Sequence, residues 1–342
     1  MRASIRGRPA TADEAAREVA RLLAASRLPV IAGLGTDAAG AVAAARLAQA
    51  CGGVLDHAHA DALLRDLGAM REYGWIVATP LLARARADMV LLVGPGLDGF
   101  ALPPAPTLDP GAARRVLCFA PPHGDLLAGL GVLRALAAGR PVAPGADPAG
   151  EVARLADALR SARYGVAVWS AGAMTEMEIE AVCGLVSDLN AGTRWAGLPL
   201  PAPGNAMGVA QALAAETGFP VRVGFAGGRA EHDPWRFAAA RLVASGEADA
   251  LVWVGALDTG PPPWGNEVPL VALTAPGAPD LAEPAAVAVE VGCPGVDHDA
   301  VLYDGEVAAL VAVRASTPSS APSVAAWLGA VVAALREGGR PC

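Results

Sequence analysis

A pair of histidines two residues apart is the pattern in this sequence that most directly suggests chemistry. His57 and His59 lie in the stretch LDHAHAD at 55–61, just after an apolar run. Residues i and i+2 of a strand share a face, so the two imidazoles could chelate one metal ion. A zinc hydrolase would need further ligands and an activated water. Strand-end histidines also cap helices or hydrogen-bond carbonyls, and this structural role is the favoured interpretation because the other histidines are isolated in sequence.

Glycine-rich strand exits offer a second kind of site. GLGT at 33–36 and GPGLDG at 94–99 could bring a phosphate close to backbone amides at a helix N-terminus, as in a dinucleotide site. Neither completes a G-x-G-x-x-G or a G-x-x-x-x-G-K-S/T pattern, and the sequence contains no lysine. A Walker lysine and Schiff-base chemistry are therefore excluded. Ser170 follows an apolar strand, but no G-x-S-x-G motif marks it as a nucleophile.

The composition excludes several classes of protein. Of the 342 residues, 54% are hydrophobic and only 18% are charged, and the formal net charge is −8. No arginine-rich stripe is present, so we expect no nucleic-acid partner. The longest apolar runs have the length of a strand, far short of the roughly 20 residues of a membrane span. The hydrophobic excess therefore belongs in a buried core or in subunit contacts, and we expect no membrane association.

The cysteines point to a reduced protein. The five cysteines are scattered and form no C-x-x-C pair, which argues against a disulfide framework, a zinc ribbon or an iron–sulfur cluster. The arginine-rich start of the chain is not followed by the apolar segment of a secretory signal. We therefore expect a cytoplasmic protein with partly buried thiols.

The elements that must position these residues alternate between helix and strand. A capping box of Thr11 and Glu14 predicts a first helix over 11–26, and a second helix is predicted to end at Gly52. The runs LPVIAGLG and MVLLVG predict buried strands. Continuous apolar strands between helices are typical of parallel sheets covered on both faces, so the predicted fold class is α/β.

Two stretches of the sequence repeat. The pentapeptide EVARL occurs at 18–22 and at 151–155, and each copy is followed by a strand with a small-residue exit. GEADALVWVGALDTG at 246–260 likewise resembles ARADMVLLVGPGLDG at 85–99. The matching order of two separate elements favours two similar lobes over chance similarity in an alanine-rich sequence.

The repeats predict a domain organisation. We expect two tandem Rossmann-like lobes, 1–148 and 149–315, and then a Ser/Pro linker and an apolar C-terminal helix within 316–342. That helix either packs across the protein's own sheet or docks on a partner. The Gly/Pro-rich stretch 198–237 interrupts the alternation and is predicted to be an inter-lobe loop, either a structural connection or a surface for a ligand or partner.

An ordered series of motifs carries a family resemblance. GN at 204–205 is followed by TGFP at 217–220 and GGRAEHDPW at 227–235, and DHDAVLYDGEVAALV lies near the end. LPVIAGLGT, CGGVLDHAHAD and ARADMVLLVGPGLDG precede them. In this order the motifs resemble the B subunit of formylmethanofuran dehydrogenases over most of the chain. The resemblance implies that the lobes are similar to the central domains of molybdopterin oxidoreductases.

The resemblance also implies what the chain lacks. Active members of that family carry an N-terminal iron–sulfur cysteine cluster and a cysteine that ligates molybdenum or tungsten. Here no cysteine precedes Leu28, and the position of the metal ligand is near Ala62. The family's Gly-Cys-Asn-Pro turn reads GPGLDG. We therefore expect neither molybdopterin nor an iron–sulfur cluster, and LDHAHAD is interpreted as a degraded metal site.

A cofactor-less version of this subunit is similar to the B subunit of the formyltransferase/hydrolase complexes of aerobic methylotrophic bacteria. The resemblance implies an amidohydrolase-type subunit, a formyltransferase subunit and a further subunit as partners. Such complexes pass a formyl group from tetrahydromethanopterin to a methanofuran-type carrier and hydrolyse it to formate. The chain itself is expected to be a non-redox structural subunit without catalytic residues.

A ligand cleft between the lobes is the remaining hypothesis. Arginines there would suit a polyanionic carrier tail, because guanidinium groups bind carboxylates bidentately. The alternative function is an independent dinucleotide- or carrier-binding protein that uses this cleft. The predicted lining residues are Gly94, Gly96, Asn205, Arg222, Arg229 and His232.

Overall fold

A computed structural model describes residues 2–102, 114–119, 124–264, 268–278 and 284–338. Its strands are β1 (Ala3–Ile5), β2 (Arg8–Ala10), β3 (Pro29–Gly35), β4 (Val54–Leu55), β5 (Met89–Val93), β6 (Arg115–Phe119), β7 (Gly165–Trp169), β8 (Trp195–Pro199), β9 (Val223–Gly224), β10 (Glu231–His232), β11 (Ala250–Gly255), β12 (Leu270–Thr274), β13 (Val287–Glu290), β14 (Ala300–Asp304) and β15 (Ala309–Val313). Its α-helices are α1 (Ala12–Ala25), α2 (Ala38–Cys51), α3 (Ala60–Tyr73), α4 (Pro80–Arg86), α5 (Leu126–Ala137), α6 (Glu151–Arg160), α7 (Glu176–Leu189), α8 (Ala206–Thr217), α9 (Ala239–Ala244) and α10 (Val324–Glu337).

The chain divides into two compact units that interleave in the sequence. Unit 1 comprises 1–60, 203–303 and 310–342, and unit 2 comprises 61–202 and 304–309. This division differs from the predicted tandem lobes, because the predicted boundary at 148/149 falls inside unit 2. The stretch 198–237, predicted to be a loop, contains α8, β9 and β10.

Unit 1 is built on one mixed sheet with the strand order β10-β9-β4-β3-β11-β12-β13-β1-β2. Its five central strands, β4 to β13 in that order, are parallel, and the strands at both edges are antiparallel. Every residue of β3 is buried, as expected for a central strand covered on both faces. The pairing of β3 with β11, more than 200 residues apart, is what makes the units interleave.

Two helices of unit 1 have a terminus where a sequence signal predicts it. Thr11 and Glu14 form the predicted capping box of α1, with each backbone N–H bonded to the other residue's side chain. The second helix, α2, ends at Gly52, which has a left-handed φ of 69°. The C-terminal helix α10 packs against α1 and α2, so its apolar face is used within its own unit.

Unit 2 contains a four-stranded parallel sheet with the order β6-β5-β7-β8 and a helical layer in which α5 packs against α6 and α7. Trp169 and Trp195 are fully buried and fix the strand packing. A Cβ added at Gly165 would lie 2.2 Å from the Trp195 ring, and one at Gly197 would lie 2.7 Å from the Trp169 ring. Glycine is therefore required at both positions. In the described residues of both units, no helix is long and apolar enough to cross a membrane.

Candidate functional site

The carboxyl ends of β3, β4 and β11 meet at one edge of the unit 1 sheet. In open α/β sheets this edge is where ligands bind. The residues that follow these strands are polar: Thr36 and Asp37 after β3, His57 after β4, and Asp258 after β11. The histidine pair was predicted from the sequence to lie at a strand exit, and the structure confirms that position.

His57 is buried and both of its ring nitrogens are engaged. Its Nδ1 lies 3.0 Å from the backbone N of His59 and must accept that hydrogen bond. Its Nε2 therefore carries the proton and donates to the Gly204 carbonyl oxygen at 3.2 Å. Burial lowers the pKa of His57 to about 4, so the ring is neutral at pH 7. The ring joins two segments that are 147 residues apart.

This geometry leaves the histidine pair poorly suited to a metal. A metal ligand needs an imidazole lone pair, and the Nδ1 lone pair of His57 is occupied by the His59 amide. His59 is half-buried, with its ring centroid 5.7 Å from that of His57; burial lowers its pKa and the Asp258 charge opposes this. Among the residues that the structure describes, no group of three or more His, Cys, Asp or Glu side chains could hold a metal ion.

Asp56, which follows β4, is buried and bonds to residues of unit 1 that are distant in the sequence. Its Oδ2 accepts from the Ala239 N–H at 2.8 Å, at the start of α9. Its Oδ1 lies 3.4 Å from Arg222 Nε in a buried ion pair. Burial raises the pKa of this carboxyl, while the Arg222 charge and the Ala239 amide act in the opposite direction. This arrangement resembles a structural buried pair more than a reactive carboxylate.

Asn205 connects three segments of unit 1. Its Nδ2 donates to the Thr36 carbonyl oxygen at 2.8 Å, and its Oδ1 accepts from the Tyr303 N–H at 2.9 Å. Its φ of 59° is left-handed, which asparagine tolerates better than most residues. Next to it, a Cβ at Gly204 would lie 2.8 Å from the Asp258 carbonyl oxygen, so this close approach requires glycine.

The other predicted cleft residues of unit 1 differ in exposure. Arg222 Nη1 donates to the Pro234 carbonyl oxygen at 2.6 Å, in addition to its pairing with Asp56. His232 Nδ1 bonds the carbonyl oxygen of Val221 at 2.8 Å, and its ring stacks on Phe219. Arg229 is exposed. Arg222 and His232 thus stabilise the turn between β9 and β10, and Arg229 faces solvent.

The glycine-rich exits also serve the local fold. After β3, the Asp37 carboxylate accepts from the Gly40 N–H at 2.9 Å and so occupies the α2 N-terminus, where a phosphate would otherwise bind. Gly94 and Gly96 follow β5 in unit 2, both with φ 78°. A Cβ at Gly94 would lie 3.0 Å from Met174 Sδ, so this turn packs against the segment that follows β7.

A small cavity that the sequence did not reveal lies at the ends of β11 and β12. It has a volume of about 360 Å³ and is lined by 253, 255–262, 274–278 and Cys293. Trp253 Nε1 donates to the Gly260 carbonyl oxygen at 3.2 Å and holds the loop that forms one wall. Burial raises the pKa of the Cys293 thiol, which keeps it protonated. The cavity therefore offers apolar contacts, backbone groups and the side chains of Asp258, Thr259 and Thr274, and its one thiol is not activated.

The residues present do not fit a molybdenum or tungsten centre. At the position where the family resemblance places the metal-ligating cysteine, Ala62 lies in α3 and packs against the hydrophobic core of unit 2. The sequence before Leu28 offers no thiolate for an iron–sulfur cluster.

Comparison with known proteins shows a relationship that extends over almost the whole chain. The chain is 33% identical over 360 aligned positions to the B subunit of the formyltransferase/hydrolase complex Fhc from Methylorubrum extorquens strain AM1, covering 98% of both chains. It also matches a chain of the crystal structure of the formyltransferase/hydrolase complex FhcABCD from Methylorubrum extorquens in complex with methylofuran. That match has a TM-score of 0.89 at 34% identity, covering 98% of this chain and 99% of the other. No protein-family model matches the chain.

Proposed function

The chain belongs to the family formed by the B subunit of formyltransferase/hydrolase complexes, and we propose on this basis that it is the structural B subunit of such a complex. In this proposal the complex releases formate from formyl-tetrahydromethanopterin by way of a methanofuran-type carrier, a step of formaldehyde oxidation. The observation that carries it is the full-length match, since a TM-score of 0.89 over 98% of the chain leaves almost no segment unmatched.

The geometry of the polar residues supports a non-catalytic role. At the strand ends of unit 1, His57, Asp56 and Asn205 all have backbone partners. A catalytic acid or base must reach a substrate proton, and a group used in this way is not available for that. The proposed partners are therefore the chemical subunits: an amidohydrolase-type subunit, a formyltransferase subunit and a further subunit, all in the cytoplasm.

We also propose that the chain is a degenerate relative of the B subunit of formylmethanofuran dehydrogenases, with Rossmann-like units similar to the central domains of molybdopterin oxidoreductases. The parallel four-stranded sheet of unit 2 with its helical layer supports the Rossmann-like description. Ala62 supports loss of the metal, because its methyl side chain offers no ligand at the position where the resemblance places the thiolate. In this proposal the chain binds neither molybdopterin nor an iron–sulfur cluster.

A second candidate function is carrier or dinucleotide binding, and the cavity at the ends of β11 and β12 is the observation that favours it. The cavity lies at the edge where parallel sheets bind ligands. Arg229 adds an exposed cation in the same unit. Binding of a methanofuran-type ligand to the isolated chain tests this candidate, and equally tight binding to an Arg229→Ala variant would exclude that arginine from the site.

The test of the main proposal is reconstitution. The tagged chain is co-expressed with the three other subunits of its own complex, and the eluate is examined by native mass spectrometry, formate release and metal analysis. We expect a stable assembly that releases formate, and we expect formate release to be lost without the chain because the complex is then unstable. The isolated chain should contain no molybdenum or tungsten. A chain that elutes alone and carries a redox cofactor would contradict the proposal.

A further inference from the structure

Exposed large apolar side chains concentrate at one edge of unit 2. They lie at the end of α3, in the segment before α4, in α4 itself and in the turn between β14 and β15. Soluble proteins rarely expose such a group together unless another molecule covers it. We refer to this group as the apolar edge; its members, each 37–51% exposed, are Tyr73, Ile76, Val77, Leu81, Leu82 and Val307.

The backbone at the centre of the apolar edge forms an additional strand. The Gly197 N–H of β8 donates to the Ile76 carbonyl oxygen at 2.7 Å, and the Ala78 N–H donates to the Gly197 carbonyl oxygen at 2.9 Å. Val77 lies between them in a parallel bridge to Gly197. Since bonding groups alternate along a strand, the N–H and C=O of Val77 point away from β8, and no residue that the structure describes bonds them. The sheet therefore ends in an open edge.

Two ion pairs lie near this edge. Arg71 Nη2 lies 2.9 Å from Glu72, and Arg84 Nη1 lies 3.9 Å from Glu306. The Leu81 N–H donates to the Glu306 carbonyl oxygen at 3.2 Å and ties the turn to α4. Among the described residues, the edge therefore offers a partner apolar surface and the unbonded N–H and C=O of Val77. An extended, uncharged segment complements both, whereas an ionic ligand complements neither.

We propose that an extended apolar segment of another subunit of the complex adds to residues 75–78 as the next strand of the unit 2 sheet. Its backbone pairs with Val77, and its side chains cover Ile76 and Leu81. Strand addition of this kind draws affinity from main-chain hydrogen bonds and specificity from alternate side chains. The inference rests on the proposed function, because membership of a complex of several different subunits is what supplies the partner.

Two variants test the contact and one serves as the control. Val77→Pro removes the outward N–H together with the valine side chain and breaks no hydrogen bond found among the described residues, and because proline is tolerated in edge strands we expect the fold to be retained. Ile76→Asp places a charge in the contact. Val116→Asp is the control, because Val116 is 56% exposed on β6 at the opposite edge of the same sheet. The readout is the dissociation constant of each variant chain from the complex assembled by co-expression with the other subunits, measured by native mass spectrometry on dilution.

We expect Ile76→Asp to weaken assembly by about 10-fold or more, the loss typical of one buried apolar side chain, and Val77→Pro to weaken it by up to about 10-fold through the loss of one hydrogen bond. Val116→Asp should assemble like the wild type, and all three chains should keep the wild-type circular dichroism. Hydrogen exchange of 74–79 should slow on assembly. Exchange there that is unchanged by assembly would overturn the inference, as would a Val77→Pro chain that assembles normally.

Other occupants give different results. Protection of 74–79 in the isolated chain at low concentration would mean that the chain covers this edge itself. A concentration-dependent dimer abolished by Val77→Pro would mean that a second copy covers it. Either result overturns the inference while leaving the proposed function intact, provided that the wild-type chain still assembles. Failure of the wild-type chain to assemble would refute both.

Discussion

The buried carboxyl of Asp66 should make the stability of unit 2 depend on pH. Asp66 lies in α3 and is only 7% exposed. Its Oδ1 accepts a hydrogen bond from Trp169 Nε1 at 2.9 Å. Burial raises its pKa from 3.8 to about 6, and the Trp169 bond opposes the rise only in part. The perturbation is Asp66→Asn, which keeps an oxygen acceptor for Trp169 and removes the charge.

The size and the sign follow from linkage. Because the folded pKa lies above the unfolded value, the protonated carboxyl favours the folded state. That contribution is complete below about pH 4 and is lost as the pH rises through about 6. At about 1.4 kcal/mol per pH unit, the loss at pH 8 is about 3 kcal/mol. The amide group introduced by asparagine costs about 1 kcal/mol if it finds no partner. We therefore expect Asp66→Asn to stabilise unit 2 by about 2 kcal/mol at pH 8 and not at pH 4.5.

The assay is the free energy of opening of β7, from hydrogen exchange of its amides at pH 4.5 and pH 8 after correction for intrinsic rates. The strand β7 contains Trp169 and therefore reports the region around Asp66. The matched control is Asp157→Asn on α6 of the same unit, whose side chain is 71% exposed and pairs with Arg160. It should change the free energy by less than about 0.5 kcal/mol at either pH. Equal effects of Asp66→Asn at both pH values, or destabilisation at pH 8, would refute the reasoning.

Three further predictions concern residues that hold the strands of each unit. His57→Ala should lower the free energy of unfolding by about 2–4 kcal/mol without changing zinc content. The free energy of unfolding of the wild type should fall by about 3 kcal/mol as the pH falls from 6.5 to 4, because the depressed pKa of His57 makes protonation favour unfolding. His57→Ala should remove this loss, and a denaturation series across that pH range measures it. Asn205→Gly keeps the left-handed backbone and removes two hydrogen bonds, so a thermal melt should show a loss of about 1–3 kcal/mol, and an unchanged melt would contradict the bridging role. Gly165→Ala forces a Cβ to within 2.2 Å of the Trp195 ring and should leave little soluble protein, whereas Gly192→Ala, with nothing within 4 Å, should behave like the wild type.

Local signals in the sequence predicted local structure well. The capping box of Thr11 and Glu14 and the end of α2 at Gly52 depend on neighbours within a few residues. Such contacts are determined by side chains whose spacing can be read directly. The α/β class followed in the same way from continuous apolar strands between helices, and the structure confirms a mixed α/β fold with parallel sheets.

These local signals do not determine the order of the strands in the sheets. Parallel strands are buried on both faces and are chemically alike, so nothing in β3 specifies β11 as its partner in place of β5. The two repeats therefore indicated similar elements but not their grouping. One copy of each repeat lies in each unit, in opposite order: EVARL at 18–22 and the stretch 246–260 are in unit 1, and EVARL at 151–155 and the stretch 85–99 are in unit 2.

The polar residues of the unit 1 strand ends show why sequence alone could place a candidate site without defining its use. The histidine pair lies at the predicted strand exit, yet the carbonyl oxygen that accepts the hydrogen bond of His57 Nε2 belongs to Gly204, 147 residues away. Likewise, the partners of Asp56 and Asn205 lie more than 90 residues from them. At the edge where an open sheet would bind a ligand, the chain's own backbone supplies the hydrogen bonds. A polar group held in this way contributes to the free energy of folding and is withdrawn from binding and catalysis. That arrangement supports the proposed role of a structural subunit.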